Sequence, residues 1–411
     1  MPKLEISSIQ TDNDVFVVNA VESLIVQSIR AKGPLSRTDL TQLLNYSRAS
    51  LTTIVGTMVE TGILHEVGEG RSAGGRRPLL LDINPQLGYV AGVDIGATSV
   101  DYALADFQGK IFERYSESCD VRMEPELFLN NVCDVVSKML AKHEIAPERL
   151  VAIGLGVPGP VEFAAGVLIA PPLMPSWEGY PIKSFFRPKF PNAKVVVDND
   201  VNIMAKGEQK AGNGQGVENF LFVKIGTGIG CGIISNGRIY RGNDGCAGDI
   251  GHICVDYNGP ICHCGNQGCL EYLAAGPAIA AQGIEKAQAG QSPFLAQRMQ
   301  ENDGELTAAD VGEAAAAGDR AANEIIRTTG RMIGGVLAGL VNFYNPKAIF
   351  IGGGVSKIGY TLLSTIRQAT LRRATALSTR RLQVEYSQLG DDTGVVGAIW
   401  LALENVFIVQ N

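Results

Sequence analysis

His252 is followed by three thiols in a Gly-His-x9-Cys-x-Cys-x4-Cys run that uses Cys262, Cys264 and Cys269. One imidazole and three thiolates can close a tetrahedral zinc shell with no open position, so such a site is structural rather than hydrolytic. Three thiols within eight residues, beside Gly265 and Gly268, argue against a chance cluster in a loop. His263 alternates with the ligands and is expected to point away, and Cys246 and Cys254 are the alternative ligands. Cys119, Cys133 and Cys231 read as buried thiols, and His65 and His143 as ordinary surface or helix residues.

Glycine turns and an acid pair supply a second chemistry. Asp94-x-Gly96-x-Thr98 and Gly226-Thr227-Gly228-x-Gly230 each join two expected strands. Backbone N–H groups and Thr hydroxyls in such turns can cradle phosphates, and Asp94 could orient Mg²⁺ directly or through water. Gly352-Gly353-Gly354 follows a strand, where an adenosine could pack on flat backbone. Asp198-Asn199-Asp200 stands at a strand end and a helix start, the position where open α/β sheets bind ligands. Asn199 offers a donor and an acceptor to a sugar hydroxyl. Asp200 could take the proton from a hydroxyl attacking a γ-phosphate or, without nucleotide, simply accept its hydrogen bond. Tight strand turns and helix N-caps are the plain alternatives.

A third constellation lies near the N-terminus. Three short helices, with a tight turn between the second and third, precede a hairpin with a basic tip, the pattern of a winged helix-turn-helix. The third helix exposes Ser47, Arg48, Ser50, Thr52 and Thr53, short hydrogen-bonders plus one long cation suited to a major groove. Arg71, Arg76 and Arg77 sit on the Gly-rich tip, where they can grip phosphates or enter a minor groove. A small protein-interaction domain is the alternative for this region.

The elements that must hold these groups follow from pattern. Val17, Val21, Leu24, Ile25 and Ile29 repeat at helical spacing, and Gly33-Pro34 ends that helix. Ser36 caps a second helix with core face Leu40, Leu43 and Leu44, and Ser47 caps a third with Leu51, Ile54, Val55, Met58 and Val59 inward. Ile63–Val67 and Pro78–Ile83 form the hairpin. Strands are expected at Tyr89–Asp94, Val100–Asp106, Lys110–Tyr115, Leu150–Val157 and Val195–Val197, then at Asn219–Ile225, Cys231–Ser235, Ala348–Ile351 and Gln383–Ser387. Helices are expected over Glu126–Lys142, in the Ala-rich stretch from Leu270 to Asn345, near Ile358–Ala374, and from Gly394 to Asn405. Both halves open with strand, Gly-rich turn, strand, which suggests a duplicated fold. The expected division is a winged domain at 1–84, a first lobe at 85–198 plus 391–411, and a second lobe with the metal loop at 199–390.

The 411 residues suffice for two or three domains, and 45% hydrophobic content with 49 glycines suits an α/β protein with many tight turns. A net charge of −7 argues against broad nucleic-acid binding, so DNA contact must come from the local basic patch. No apolar run is long enough to span a bilayer and no signal-peptide layout is present, which makes the cytoplasm the expected compartment. Eight cysteines in a cytoplasmic chain of this size are not a disulfide framework.

The chain resembles the ROK family of repressors, open-reading-frame proteins and sugar kinases. The resemblance rests on Asp94-Ile-Gly-Ala-Thr98, Val157-Pro-Gly-Pro160, Asp198-Asn-Asp200, Gly226-Thr-Gly-Ile-Gly230, Gly248-Asp-Ile-Gly-His252, Cys262-His-Cys-Gly-Asn-Gln-Gly-Cys-Leu-Glu271 and Gly352-Gly-Gly-Val-Ser356. It implies an actin/hexokinase-like body of two lobes with sugar between them, contacted by Asn199, Asp200, Asp249, His252 and Glu271. His252 would serve twice, one ring nitrogen on zinc and the other toward the sugar. The winged N-terminus resembles the repressor branch, implying a sugar-responsive DNA-binding regulator. Its partners would be operator DNA, a sugar or sugar phosphate, and a second copy of itself. ATP and Mg²⁺ would join zinc as cofactors only in an active sugar kinase, with Asp200 as catalytic base. The chain departs from the kinase pattern at Asp249, where family kinases carry Glu, at Ser99, where they often carry Lys, and before Trp177, where an Asn is often found.

Overall fold

The computed structural model describes residues 16–70 and 77–410. Its first strand, β1 (Phe16–Asn19), leads into α1 (Ala20–Lys32). Asn19 and Glu22 cap that helix reciprocally: the Asn19 side chain accepts from the N–H groups of Val21 and Glu22, and the Glu22 carboxylate accepts from the Asn19 N–H. Gly33, at φ 82°, ends it. After β2 (Leu35–Ser36), Ser36 caps α2 (Arg37–Leu44), Asn45 turns the chain in the left-handed region, and Ser47 caps α3 (Arg48–Glu60). The wing is β3 (Leu64–Glu69) and β4 (Leu79–Ile83), in a sheet of order β2-β4-β3. Ile25, Ile29, Leu40, Leu51, Val55, Met58 and Leu81 bury its core.

Two expectations change here. Val17 belongs to β1, not to the first helix, and β1 pairs in parallel with the last strand, β17 (Phe407–Gln410). Apolar spacing cannot reveal a partner at the far end of the chain, whereas the Asn19 cap does mark the true helix start. Leu43 is 41% exposed rather than inward. In so short a helix the core stripe runs through Leu40 and Leu44, one turn apart, and Leu43 falls off it.

The first lobe is a sheet of order β11-β8-β5-β6-β7. Its strands are β5 (Tyr89–Ile95), β6 (Ser99–Asp106), β7 (Ile111–Ser118), β8 (Leu150–Val157) and β11 (Lys194–Asn199). Helix α4 (Pro125–Lys142) covers one face with Phe128, Leu129, Val132 and Val136. Between β8 and β11 lie a small hairpin, β9 (Val161–Glu162) with β10 (Val167–Leu168), and the short α5 (Ile182–Phe186).

Helix α6 (Asp200–Ala211) leads into the second lobe, made of β12 (Phe220–Ile225), β13 (Ile229–Ser235), β14 (Arg238–Ile239), β15 (Ala348–Gly352) and β16 (Gln383–Tyr386). Its order is β14-β13-β12-β15-β16. Helices α7 (Leu270–Ala274), α8 (Gly276–Gln288), α9 (Pro293–Glu301), α10 (Ala308–Ala316), α11 (Arg320–Tyr344), α12 (Tyr360–Arg373) and α13 (Ala376–Thr379) belong to this lobe, and Ile279, Leu295, Val311, Ile326, Ile333, Leu337 and Ile366 fill the core beneath them. Each lobe is an antiparallel three-strand meander followed by two strands parallel to its first, so the duplicated pattern in the sequence is a duplicated topology.

The last helix, α14 (Asp392–Asn405), lies beside α6 between the two sheets. Glycines make this crossing close. A Cβ on Gly207 would stand 2.0 Å from the Thr393 carbonyl oxygen, and one on Gly397 1.7 Å from that of Ile203. Any side chain there would force the two helices apart.

Candidate functional site

The four thiol and imidazole ligands converge. One ligand atom each from His252, Cys262, Cys264 and Cys269 lies within 4.8 Å of all the others. Cys262 Sγ is 3.7 Å from His252 Nδ1, and Cys264 Sγ is 3.7 Å from Cys269 Sγ. With metal–sulfur bonds near 2.3 Å, a tetrahedral shell has a sulfur–sulfur edge of about 3.8 Å, so the spacing suits a zinc-sized ion. The loop is shaped for this. The Cys262 N–H bonds the Asn266 carbonyl at 2.7 Å, and Gly268, at φ 67°, passes so close to Asp256 that a Cβ would meet its carbonyl oxygen at 1.7 Å. Cys246, Cys254 and His263 are not in the ligand group, and the His263 ring stands 5.9 Å from that of Tyr272.

The metal loop orients a second cluster. His252 presents Nδ1 to the thiol side, while its Nε2 stands 4.0 Å from Asp249 Oδ1. Glu271 lies two residues beyond Cys269, and its carboxylate accepts the Ile229 N–H at 2.9 Å. Gly228 and Gly251 pack so tightly on that carboxylate that Cβ atoms there would stand 2.6 and 3.1 Å from Oε2. Asp249, His252, Glu271 and the second glycine turn therefore share one corner.

The acid pair occupies the α6 terminus. Asn199 is the cap: its Oδ1 accepts from Val201 and Asn202, and its Nδ2 donates to the Gly159 carbonyl at 3.0 Å. Asp198 instead accepts the Arg241 guanidinium at 2.6 Å, with Arg241 stacked 3.8 Å from the centre of the Phe163 ring. Asp200 is buried, and its Oδ2 accepts from Lys224 Nζ at 2.5 Å. Helix α6 rests on β13 through Val201, which lies over Gly230, and Gly230 pairs in register with Lys224. Sequence reasoning missed Lys224 and Arg241. The available signal for Lys224 was a lone cation in the otherwise apolar strand Phe-Leu-Phe-Val-Lys-Ile.

Asp94 ends up buried at the junction of the lobes. Burial pushes its carboxyl up to about 7; Lys224 pulls it down, and Asp200 and Asp101 raise it. Its Oδ1 has no hydrogen-bond partner among the described residues, and a Cβ on Gly394 of α14 would meet Oδ2 at 1.7 Å. Asp94, Gly96 and Gly353 line a cavity of about 770 Å³ together with Lys224. Thr98, Gly226, Thr227, Gly228 and Gly354 are outside that lining.

On the winged head, Ser47, Arg48, Ser50, Thr52 and Thr53 are all exposed along the first turns of α3. Ser47 and Ser50 share a hydroxyl–hydroxyl bond of 2.8 Å, and Thr52 donates to the Arg48 carbonyl at 2.7 Å, so their hydroxyls stay on the helix surface. Arg77 is exposed, 3.8 Å from Glu69, while Arg71 and Arg76 lie outside the described residues.

A profile of the ROK family matches residues 90–405, both lobes together. The chain belongs to the ROK family. It is 31% identical to the xylose repressor of Caldicellulosiruptor bescii over 392 residues, covering 93% of this chain and 95% of that one. It is 36% identical to the glucokinase of Halalkalibacterium halodurans over 314 residues, covering 76% of this chain and 94% of the enzyme. Among solved structures it is similar to a ROK transcriptional regulator homologous to the Escherichia coli Mlc protein, with TM-score 0.80 and 26% identity over 93% of this chain and 95% of that chain. The fold is thus the two-lobed ROK body carrying a winged helix-turn-helix. Among the described residues no helix of this ROK protein is long and apolar enough to cross a membrane.

Proposed function

We propose that this ROK protein is a sugar-responsive DNA-binding repressor of carbohydrate genes, acting in the cytoplasm. The observation that carries the reading is the length of the repressor match. It covers 93% of the chain, against 76% for the glucokinase, so it includes most of the winged head as well as the body. The head supplies what DNA binding requires: an exposed helix of hydroxyls with Arg48, and an Arg-bearing wing.

In this reading the sugar sits between the lobes. Asp249, His252 and Glu271 meet it from the metal-loop side, and Asn199 and Asp200 from the start of α6. His252, Cys262, Cys264 and Cys269 hold zinc, which staples the loop and fixes the imidazole tautomer so that Nε2 faces the sugar. The sugar can change DNA affinity only by binding one interlobe arrangement better than another. Closure then alters the spacing of two winged heads, one from each copy of a homodimer or higher oligomer, on a two-fold operator.

An ATP-dependent sugar kinase carrying a DNA-binding head is the second reading, favoured by the glucokinase relative and by retention of Asp94 and Asp200. A panel of neutral sugars and sugar phosphates, screened by thermal shift with and without ATP, separates the two. The sensor reading expects one sugar to raise the melting temperature without ATP and without ADP release. ADP release with any sugar would favour the kinase.

A further inference from the structure

Lys224, the partner of Asp200, has no part in the sugar contacts described above. Lys224 interrupts a buried apolar strand. Its neighbours on the same face of β12, Phe220 and Phe222, pack against Val201, Met204 and Ala205 of α6. Strand alternation therefore sends the lysine toward the start of that helix, and Nζ reaches Asp200 Oδ2 at 2.5 Å. The other Asp200 oxygen accepts the Val201 N–H at 2.9 Å, so both carboxylate oxygens are engaged. The side chains are 21% and 7% exposed. Burial works against the Lys224 ammonium, but Asp200 first and Asp94 next more than offset it and hold the ammonium charged. Lys224 and Asp94 line the same interlobe cavity.

A phosphoryl-transfer cleft needs two things at this place: a divalent cation bridging the phosphates, and a carboxylate free to accept the hydroxyl proton. Neither requirement fits the residues present. The positive charge that Asp94 and Asp200 call for is already supplied by the chain, and a dication there would stand beside the partly buried ammonium of Lys224. Asp200, with Oδ2 held by that ammonium and Oδ1 by the Val201 N–H, is not a free carboxylate, yet it can still accept a hydrogen bond from a sugar hydroxyl. Magnesium and ATP therefore do not fit this cleft as they would fit a kinase.

We propose that Lys224 is a built-in cation that takes the place of the divalent ion, excluding metal–nucleotide and leaving Asp200 to read a sugar hydroxyl without phosphorylating it. The proposal rests on the cleft being the sugar site of the sensor reading, and it names the residue that separates sensing from turnover. The alternative role for such a lysine is a phosphate ligand that aids nucleotide binding, which predicts the opposite response to its removal.

The test is Mn²⁺–ATP binding by the full-length protein, followed by electron paramagnetic resonance of free Mn²⁺. Wild type is compared with Lys224→Thr and Lys224→Gln, with zinc content and melting profile as checks that each variant is folded; Gln keeps most of the stem should Thr fail to fold. The expected result is no measurable binding by wild type and at least a tenfold gain in Mn²⁺–ATP affinity in a folded variant. Binding by wild type that the substitutions weaken or leave unchanged, or no binding by any of the three, would overturn it. Sugar binding is scored separately by thermal shift with xylose, glucose and N-acetylglucosamine. Its failure would count against the sensor reading while the nucleotide comparison still decides the role of Lys224.

Discussion

Arg30, in the first helix of the winged head, donates its guanidinium to the backbone carbonyl of Leu403, in the last helix of the body. The group is buried between the rings of Phe107 and Phe407, whose centroids lie 5.5 and 5.4 Å away, and burial lowers its pKa to about 10 against the opposing pull of Glu404. Its Nε and Nη2 are buried without hydrogen-bond partners among the described residues. The next residue along α14, Glu404, accepts from Lys206 at 2.7 Å and pairs with Lys210 at 2.6 Å, both on α6, the helix that begins at Asp200. Two rigid helices thus connect the acid pair to the DNA-binding head.

Removing Arg30 is expected to uncouple the two ends more than it unfolds the protein. Arg30→Met keeps much of the stem's packing and discards a buried charge whose hydrogen bonding is incomplete, so stability should change by less than about 2 kcal/mol. The factor by which sugar shifts DNA affinity should fall at least about fivefold, a loss of about 1 kcal/mol of coupling. Parallel melting curves and DNA titrations with and without sugar read both quantities.

The metal centre should be stoichiometric and structural. Elemental analysis is expected to find one zinc per chain. Cys262→Ser should lose the metal and about 3 kcal/mol or more of stability, because the shell has no spare ligand. Cys246→Ser, altering a thiol outside the ligand group, should leave the zinc content unchanged.

Asp94 should impose a pH dependence of definite sign. Its folded pKa, about 7, lies above the unfolded value of 3.8, so the native state binds the proton more tightly. That contribution to stability is present at low pH and is lost as pH rises from about 4 through 7. Asp94→Asn removes it. The variant should gain on wild type between about pH 5 and 8, by about 2–3 kcal/mol from the shift in this interval, as urea unfolding at the two pH values would show.

Arg48 is the one long cation on the exposed start of α3. Arg48→Ala should weaken binding to a duplex selected by the protein from a random pool by about 1–3 kcal/mol. Its thermal shift with sugar should match that of wild type, since the residue is exposed on the winged head, away from the proposed sugar contacts.

Much of this was legible in residue types and local spacing. The cluster of His252, Cys262, Cys264 and Cys269 stood out because four scarce side chains fall within one short loop, and the caps at Ser36 and Ser47 announced their helices. The duplicated lobes showed in the repeated strand, glycine turn, strand order. What stayed hidden depended on distant partners. Nothing near Val17 signals a pairing with the C-terminal strand, and nothing near Arg30 announces a carbonyl at Leu403. Asp200 read as an acceptor for a substrate hydroxyl, or as a helix cap, with no cation beside it, because its partner, Lys224, lies on another strand, and a lone lysine in an apolar run names no partner until the fold supplies one.

The central claim is that a sugar in the interlobe cleft changes how the head holds DNA. Fluorescence anisotropy of the selected duplex, titrated with protein at fixed salt in the absence and presence of saturating sugar, measures this directly. The expected result is a change in DNA affinity of about fivefold or more for at least one sugar, abolished by His252→Ala and by Asp200→Asn. Unchanged affinity across every sugar and sugar phosphate, with wild-type protein that binds the duplex normally, would contradict it.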